Sequence, residues 1–186
     1  DPTAAAGPVR LRAATALVVD RLDALPGRPP GSLTAQRADV VVFACGDPAH
    51  AEHDSVAIAA CKGLPTAVLE RIDLKITGPM RPEYLRDLAA GTFVIIADTV
   101  RDTAGAVVEA PFLELVGREE PLLASSTPDQ PLDEVVAMAD LLRDEPVRGT
   151  FVGLGVEAVD LSAPPDEAAV RQLRDVIAGA LPAAEG

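Results

Sequence analysis

The apolar run Val40–Ala44 constrains this chain more than any other stretch. It is three valines, a phenylalanine and an alanine, and it stops at Gly46-Asp47-Pro48, a turn signal. A short, continuously apolar, β-branched run suits a strand buried on both faces, as in a parallel sheet covered by helices. An acidic, histidine-bearing loop, Ala49–Asp54, comes next. Val56, Ala59, Ala60 and Leu64 then recur at helical spacing. Strand, polar loop and helix in succession put that loop at the carboxyl end of a strand, where open α/β sheets carry their sites.

The same alternation continues downstream. Thr66–Leu74 reads as a second strand, more exposed than the first because of Glu70, Arg71 and Asp73. Pro82–Ala90 reads as a short helix closed by Gly91. Phe93–Asp98 is a second strongly apolar strand, and it ends in an aspartate. A carboxylate there is costly unless it is paired or coordinated. A loop, Thr99–Ala106, leads to a strand over Val107–Leu115. Pro121–Gln130 is a polar loop. Leu132, Val135, Val136, Ala139 and Leu142 mark a helix, with Pro131 at its start and Asp133 and Glu134 in its first turn. Thr150–Val156 is the last strand, and Val170, Leu173, Ile177 and Leu181 line the closing helix. Strands alternating with helices predict an α/β fold: a three-layer αβα sandwich on a twisted, mostly parallel sheet of about five strands.

Residues 1–38 read as an N-terminal extension, and residues 39–186 as the α/β domain. In the extension, Leu11, Ala14, Val18, Leu22 and Leu25 share one helical face, and Pro26–Gly31 forms a semi-rigid linker. That helix suits packing on the domain's own surface or docking to a partner.

Composition narrows the function classes. With 16 basic against 29 acidic residues the formal charge is −13, and the pI is about 4.4. Phosphate backbones and anionic membrane surfaces both select for basic faces, so neither nucleic acid nor membrane is the expected partner. Cys45 and Cys61 form no C-x-x-C pair, and each lies in an apolar run, as core cysteines do. No stretch approaches the ~18 apolar residues of a membrane span. There is no basic-then-apolar leader, so the cytoplasm is the expected compartment. No Gly-x-Ser-x-Gly elbow, P-loop or H-E-x-x-H helix occurs, and Cys45-Gly46-Asp47-Pro48 stands where a dinucleotide fold would carry its glycine fingerprint.

The strand followed by Gly46-Asp47-Pro48, the His53-Asp54 loop end, the apolar strand closing on Asp98 and the Leu161-Ser162-Ala163-Pro164 lead into a last helix resemble the hydrogenase maturation proteases. That family opens with a strand, Gly-Asn-Pro, a short loop with two acidic residues, and a helix. The resemblance runs over roughly residues 39–181. It implies an endopeptidase that removes the C-terminal extension of a nickel–iron hydrogenase large-subunit precursor. It also implies that the strand at Val107 is antiparallel, and a monomeric chain is expected. In the family, an acidic residue after the first strand, an aspartate ending the third and a histidine before a later helix bind metal, and are thought to recognise nickel already inserted in the precursor. The first position falls on Asp54, with Glu52 or His53 as alternatives because the loop is about one residue longer. The second falls on Asp98. The histidine position falls on Pro128, which has no ligand atom. Asp129, His53 or His50 would have to replace it, and nickel accepts both carboxylate and imidazole. Each residue also has a plainer role: Asp54 and Asp129 as helix caps, the histidines as solvated loop residues, and Asp98 held by loop amides. The lost histidine leaves open a second function, that of a non-catalytic relative acting as a protein-binding module.

Overall fold

A computed structural model describes residues 39–46, 56–101, 105–118, 121–122, 124, 130–156 and 166–183. Internal contacts divide the chain between Arg37 and Ala38, and all of the described residues belong to the second unit. The helix and linker expected within residues 1–38 lie outside them.

In chain order the elements are β1 (Val40–Cys45), α1 (Val56–Lys62), α2 (Thr66–Leu69), β2 (Asp73–Thr77), α3 (Pro82–Arg86), β3 (Phe93–Arg101), β4 (Val107–Pro111), α4 (Phe112–Leu115), α5 (Leu132–Leu141), β5 (Arg148–Val156) and α6 (Glu167–Ala180). One five-stranded sheet has the order β2-β1-β3-β5-β4. The three pairs among β2, β1, β3 and β5 are parallel, and β4 runs antiparallel to β5. All six residues of β1 are buried, as its unbroken apolar run requires of a strand covered on both faces.

Side chains alternate between two cores. Val41, Phe43 and Cys45 of β1, Val94, Ile96 and Val100 of β3 and Phe151 of β5 face α3, α4 and α5. Val40, Val42 and Ala44, with Ile95 and Ala97, Val152 and Leu154, face α1 and α6. The result is the expected three-layer α/β sandwich. α6 starts at Asp166, whose Oδ2 accepts the Ala169 N–H at 2.8 Å as an N-cap. The turn leading into β4 uses Gly105 at φ 73°, a conformation that favours glycine. Its N–H donates to Gly155 O at 2.9 Å.

Four expectations are corrected. Thr66–Leu74 is not one strand. Thr66–Leu69 is a helical turn following Pro65, with the Leu69 N–H donating to Pro65 O at 3.0 Å, and pairing starts only at Asp73 beside Val41. The chain must travel back along the sheet before it can pair in parallel, so Val68 and Leu69 pack over the α1/α6 core instead. Glu70 and Arg71 therefore precede the edge strand, and Asp73 opens it. The helix after Pro82 is five residues long and ends at Arg86 rather than Ala90. The strand from Val107 ends at Pro111, and α4 then buries Phe112 and Leu115 at helical spacing. Finally, β3 does not end at Asp98. It pairs with β5 as far as Arg101↔Val156, and an isolated bridge joins Val100 to Ala124.

Candidate active site

β1 lies between β2 and β3, so the connection leaving β1 goes to one side of it and the chain later returns on the other. The β1/β3 boundary is the topological switch point, where open α/β sheets leave a crevice beyond the strand ends. The last β1–β3 pair is Ala44↔Ala97, so Asp98 is level with Cys45, the final residue of β1. Thr99–Arg101 project past that end. Asp98 therefore occupies the row of the sheet where β1 ends, before the crevice.

Alternation along β3 puts Asp98 on the face of Ile96 and Val100, that is, on the α3/α4/α5 side with Cys45. It is 2% exposed, and the other buried polar residues among those described are Thr99 and Thr150. Asp98 Oδ1 accepts the backbone N–H of Thr99 at 2.7 Å. The cause is the end of the ladder. The Phe93 N–H donates to Asp39 O at 2.8 Å, so by the two-residue alternation the Thr99 N–H also points to the β1 side, level with Cys45 at the end of β1 and one row past the last paired residues, Ala44 and Ala97. A buried amide at a strand terminus needs an acceptor, and the carboxylate supplies one.

The opposite flank of Asp98 is closed. Its register partner on β5 is Gly153. A Cβ at Gly153 would meet Phe151 Cε1 at 2.6 Å and Val100 Cγ2 at 2.7 Å. The aromatic ring and the valine methyl already fill that space, so the carboxylate is confined to the β1 side. Neither Gly153 nor Thr99 was singled out by the sequence. Cys45 is buried, as a core cysteine would be, but its place beside Asp98 follows from strand order alone.

Asp54, His53, His50 and Asp129, the other expected donors, lie outside the described residues, as does Pro128. Among the described residues no three His, Cys, Asp or Glu side chains cluster as a metal site would need. Near the entrance to α5, the Leu132 N–H donates to Leu122 O at 3.2 Å. The loop that would carry Asp129 therefore leads into a helix packed on the same face as Asp98.

No protein-family model matches the chain, and no curated protein matches it. Solved structures do. The hydrogenase maturating endopeptidase HybD from E. coli aligns at a TM-score of 0.54 and 17% identity, covering 76% of this chain and 91% of that one. The NiFe hydrogenase maturation protease HycI from Thermococcus kodakarensis KOD1 aligns at 0.51 and 17% identity, covering 79% and 94%. The fold is that of the hydrogenase maturation endopeptidases. The sequence expectation of a mostly parallel sheet with one antiparallel member is met by this endopeptidase fold, with β4 as the antiparallel strand. No helix among the described residues is long and apolar enough to cross a membrane.

Proposed function

We propose that this chain is a hydrogenase maturation endopeptidase, acting as a cytoplasmic monomer to remove the C-terminal extension of a nickel–iron hydrogenase large-subunit precursor. The observation that carries this reading is Asp98: a carboxylate 2% exposed, level with the last residue of β1 at the switch point of an endopeptidase fold. Burying a charge at that position is expensive for a residue with a purely structural task, and perturbed or buried carboxylates concentrate at functional sites. In this reading nickel belongs to the substrate. Asp98 and Asp54, with His53, His50 or Asp129 in place of the family histidine, recognise the metal in the precursor. The reaction is hydrolysis of one peptide bond: water adds to the scissile carbonyl carbon, the C–N bond breaks, and a proton passes to the leaving amine.

The test is a cleavage assay with a nickel-loaded large-subunit precursor. The parent chain is expected to trim it and Asp98→Asn to leave it uncut. Full trimming by Asp98→Asn would remove Asp98 from the mechanism. A second reading is favoured by Pro128, which occupies the position of the family's histidine. In that reading the chain is a non-catalytic relative that binds a protein partner. Complex formation with the nickel-loaded precursor and no cleavage by the parent chain would select it. In either case His53→Ala and His50→Ala report whether a loop imidazole has replaced the lost one.

A further inference from the structure

We propose that Thr99 is a substrate contact of the crevice, its hydroxyl donating a hydrogen bond to a main-chain carbonyl of the peptide segment that enters there. Thr99 is 5% exposed, one of three buried polar residues among those described. The other buried threonine, Thr150, donates its hydroxyl to Phe151 O at 3.4 Å. Thr99 donates its backbone N–H to Asp98 Oδ1 at 2.7 Å, but its hydroxyl has no hydrogen-bond partner among the described residues. Buried polar groups are as a rule paired, and each exception calls for a reason.

The surroundings of that hydroxyl show where it opens. Alternation along β3 puts Thr99 on the face of Ile95 and Ala97, toward the α1/α6 core and opposite to Asp98. On the β5 side its register partner is Leu154, 2% exposed. On the β1 side the ladder has ended. One row past Cys45 comes Gly46, which has no side chain and whose N–H turns away to Thr77 O at 2.9 Å. Among the described residues, the side-chain atom that is both unpartnered and fully enclosed is Asp133 Oδ1. The Thr99 hydroxyl is unpartnered without being enclosed, so it keeps an outlet. The flank without a side-chain wall is the one beyond β1. Asp98 and Thr99 thus line the crevice end of β3 from its two faces, a carboxylate on one and a hydroxyl on the other.

A polypeptide main chain is the ligand that such a group fits. Its carbonyls recur at regular spacing in an extended segment, and each needs a donor once water is excluded. The choice of a peptide rests on the proteolytic reading above. The unpartnered hydroxyl does not, so stability and cleavage are measured separately.

Thr99→Val keeps the side chain's shape and the backbone N–H and removes the hydroxyl. Urea titration should give this variant a midpoint above that of the parent chain, because an unpaired buried hydroxyl is unfavourable. The rise should exceed that of Thr150→Val, which removes a hydroxyl with a partner. Cleavage of the nickel-loaded precursor should fall about tenfold in kcat/KM, the worth of one hydrogen bond to an uncharged group. Thr99→Ser should restore most of the rate. A midpoint that falls, or rises no more than that of Thr150→Val, would show that the hydroxyl is paired inside the protein and overturn the proposal. A raised midpoint with undiminished cleavage would overturn the contact with substrate. If the parent chain does not cleave, the proteolytic reading fails, and affinity for the same precursor decides the contact. Binding about tenfold weaker in Thr99→Val supports it. Unchanged affinity, or no binding by the parent chain, overturns it.

Discussion

Gly153 stands directly beside Asp98 across the β3–β5 ladder, and the space its side chain would occupy is filled by Phe151 and Val100. A glycine on a buried central strand is conformationally costly, and here close approach of the ring accounts for it. Gly153→Ala should destabilise the fold by about 1–3 kcal/mol through overpacking. Urea titration should show a lower midpoint at an unchanged slope. An unaltered midpoint would mean that Phe151 swings away freely, and that the closed flank of Asp98 is soft.

Asp98→Asn should separate function from folding. The amide oxygen can still accept the Thr99 N–H, now made at 2.7 Å, while the negative charge is gone. Stability should change by about 1 kcal/mol or less, since burying a charge is itself unfavourable. Cleavage should be lost. Cooperative thermal unfolding combined with absent trimming supports the assignment, whereas a collapse of stability would mean that Asp98 is chiefly a structural anchor.

Arg143 joins the end of α5 to the end of α3. Its Nη1 donates to Leu85 O at 2.9 Å and to Arg86 O and Leu88 O at 2.8 Å each. Carbonyls at a helix C-terminus lack intrahelical donors and carry partial negative charge, so one guanidinium serves several of them. Arg143→Ala should cost about 1–3 kcal/mol, with Arg143→Met equally affected, because the loss is of donors rather than of stem packing. Faster amide exchange in α3 than in α6 of the same variant would localise the effect. Uniform acceleration would contradict it.

Cys61 should make stability fall at alkaline pH. Burial pushes its thiol up from the ordinary 9.0 to about 12, because the folded chain disfavours the thiolate. The folded state therefore holds a proton that the unfolded chain releases. The contribution is fully present below about 9 and is lost as pH rises toward about 12. Its steepest slope is about 1.4 kcal/mol per pH unit. Chemical denaturation from pH 8 to 11 should give a shallower decline for Cys61→Ala than for the parent chain. Parallel declines would show that the thiol is more accessible than its burial implies. By the same logic, thiol alkylation at pH 8 should leave Cys61 unmodified until the chain unfolds.

The sequence alone determined the class of fold and pointed to one residue of the candidate site. The unbroken apolar runs at Val40 and Phe93 can be satisfied only by strands covered on both faces, and the 3.6-residue spacing through Val135 and Leu173 supplies the covering helices. Asp98 was legible because a carboxylate inside such a run contradicts its surroundings and calls for a reason. Local pattern misled at Thr66, where residues of high strand propensity form a helical turn. Propensity is local, but where a parallel strand can begin is decided by the strand beside it, here Val41 next to Asp73. Only the tertiary structure decided the neighbours of Asp98. Cys45 and Gly153 lie 53 and 55 residues away in the chain, and nothing in either segment names the other. The order β2-β1-β3-β5-β4 set them on one row, with α1 and α6 covering one face of the sheet and α3, α4 and α5 the other.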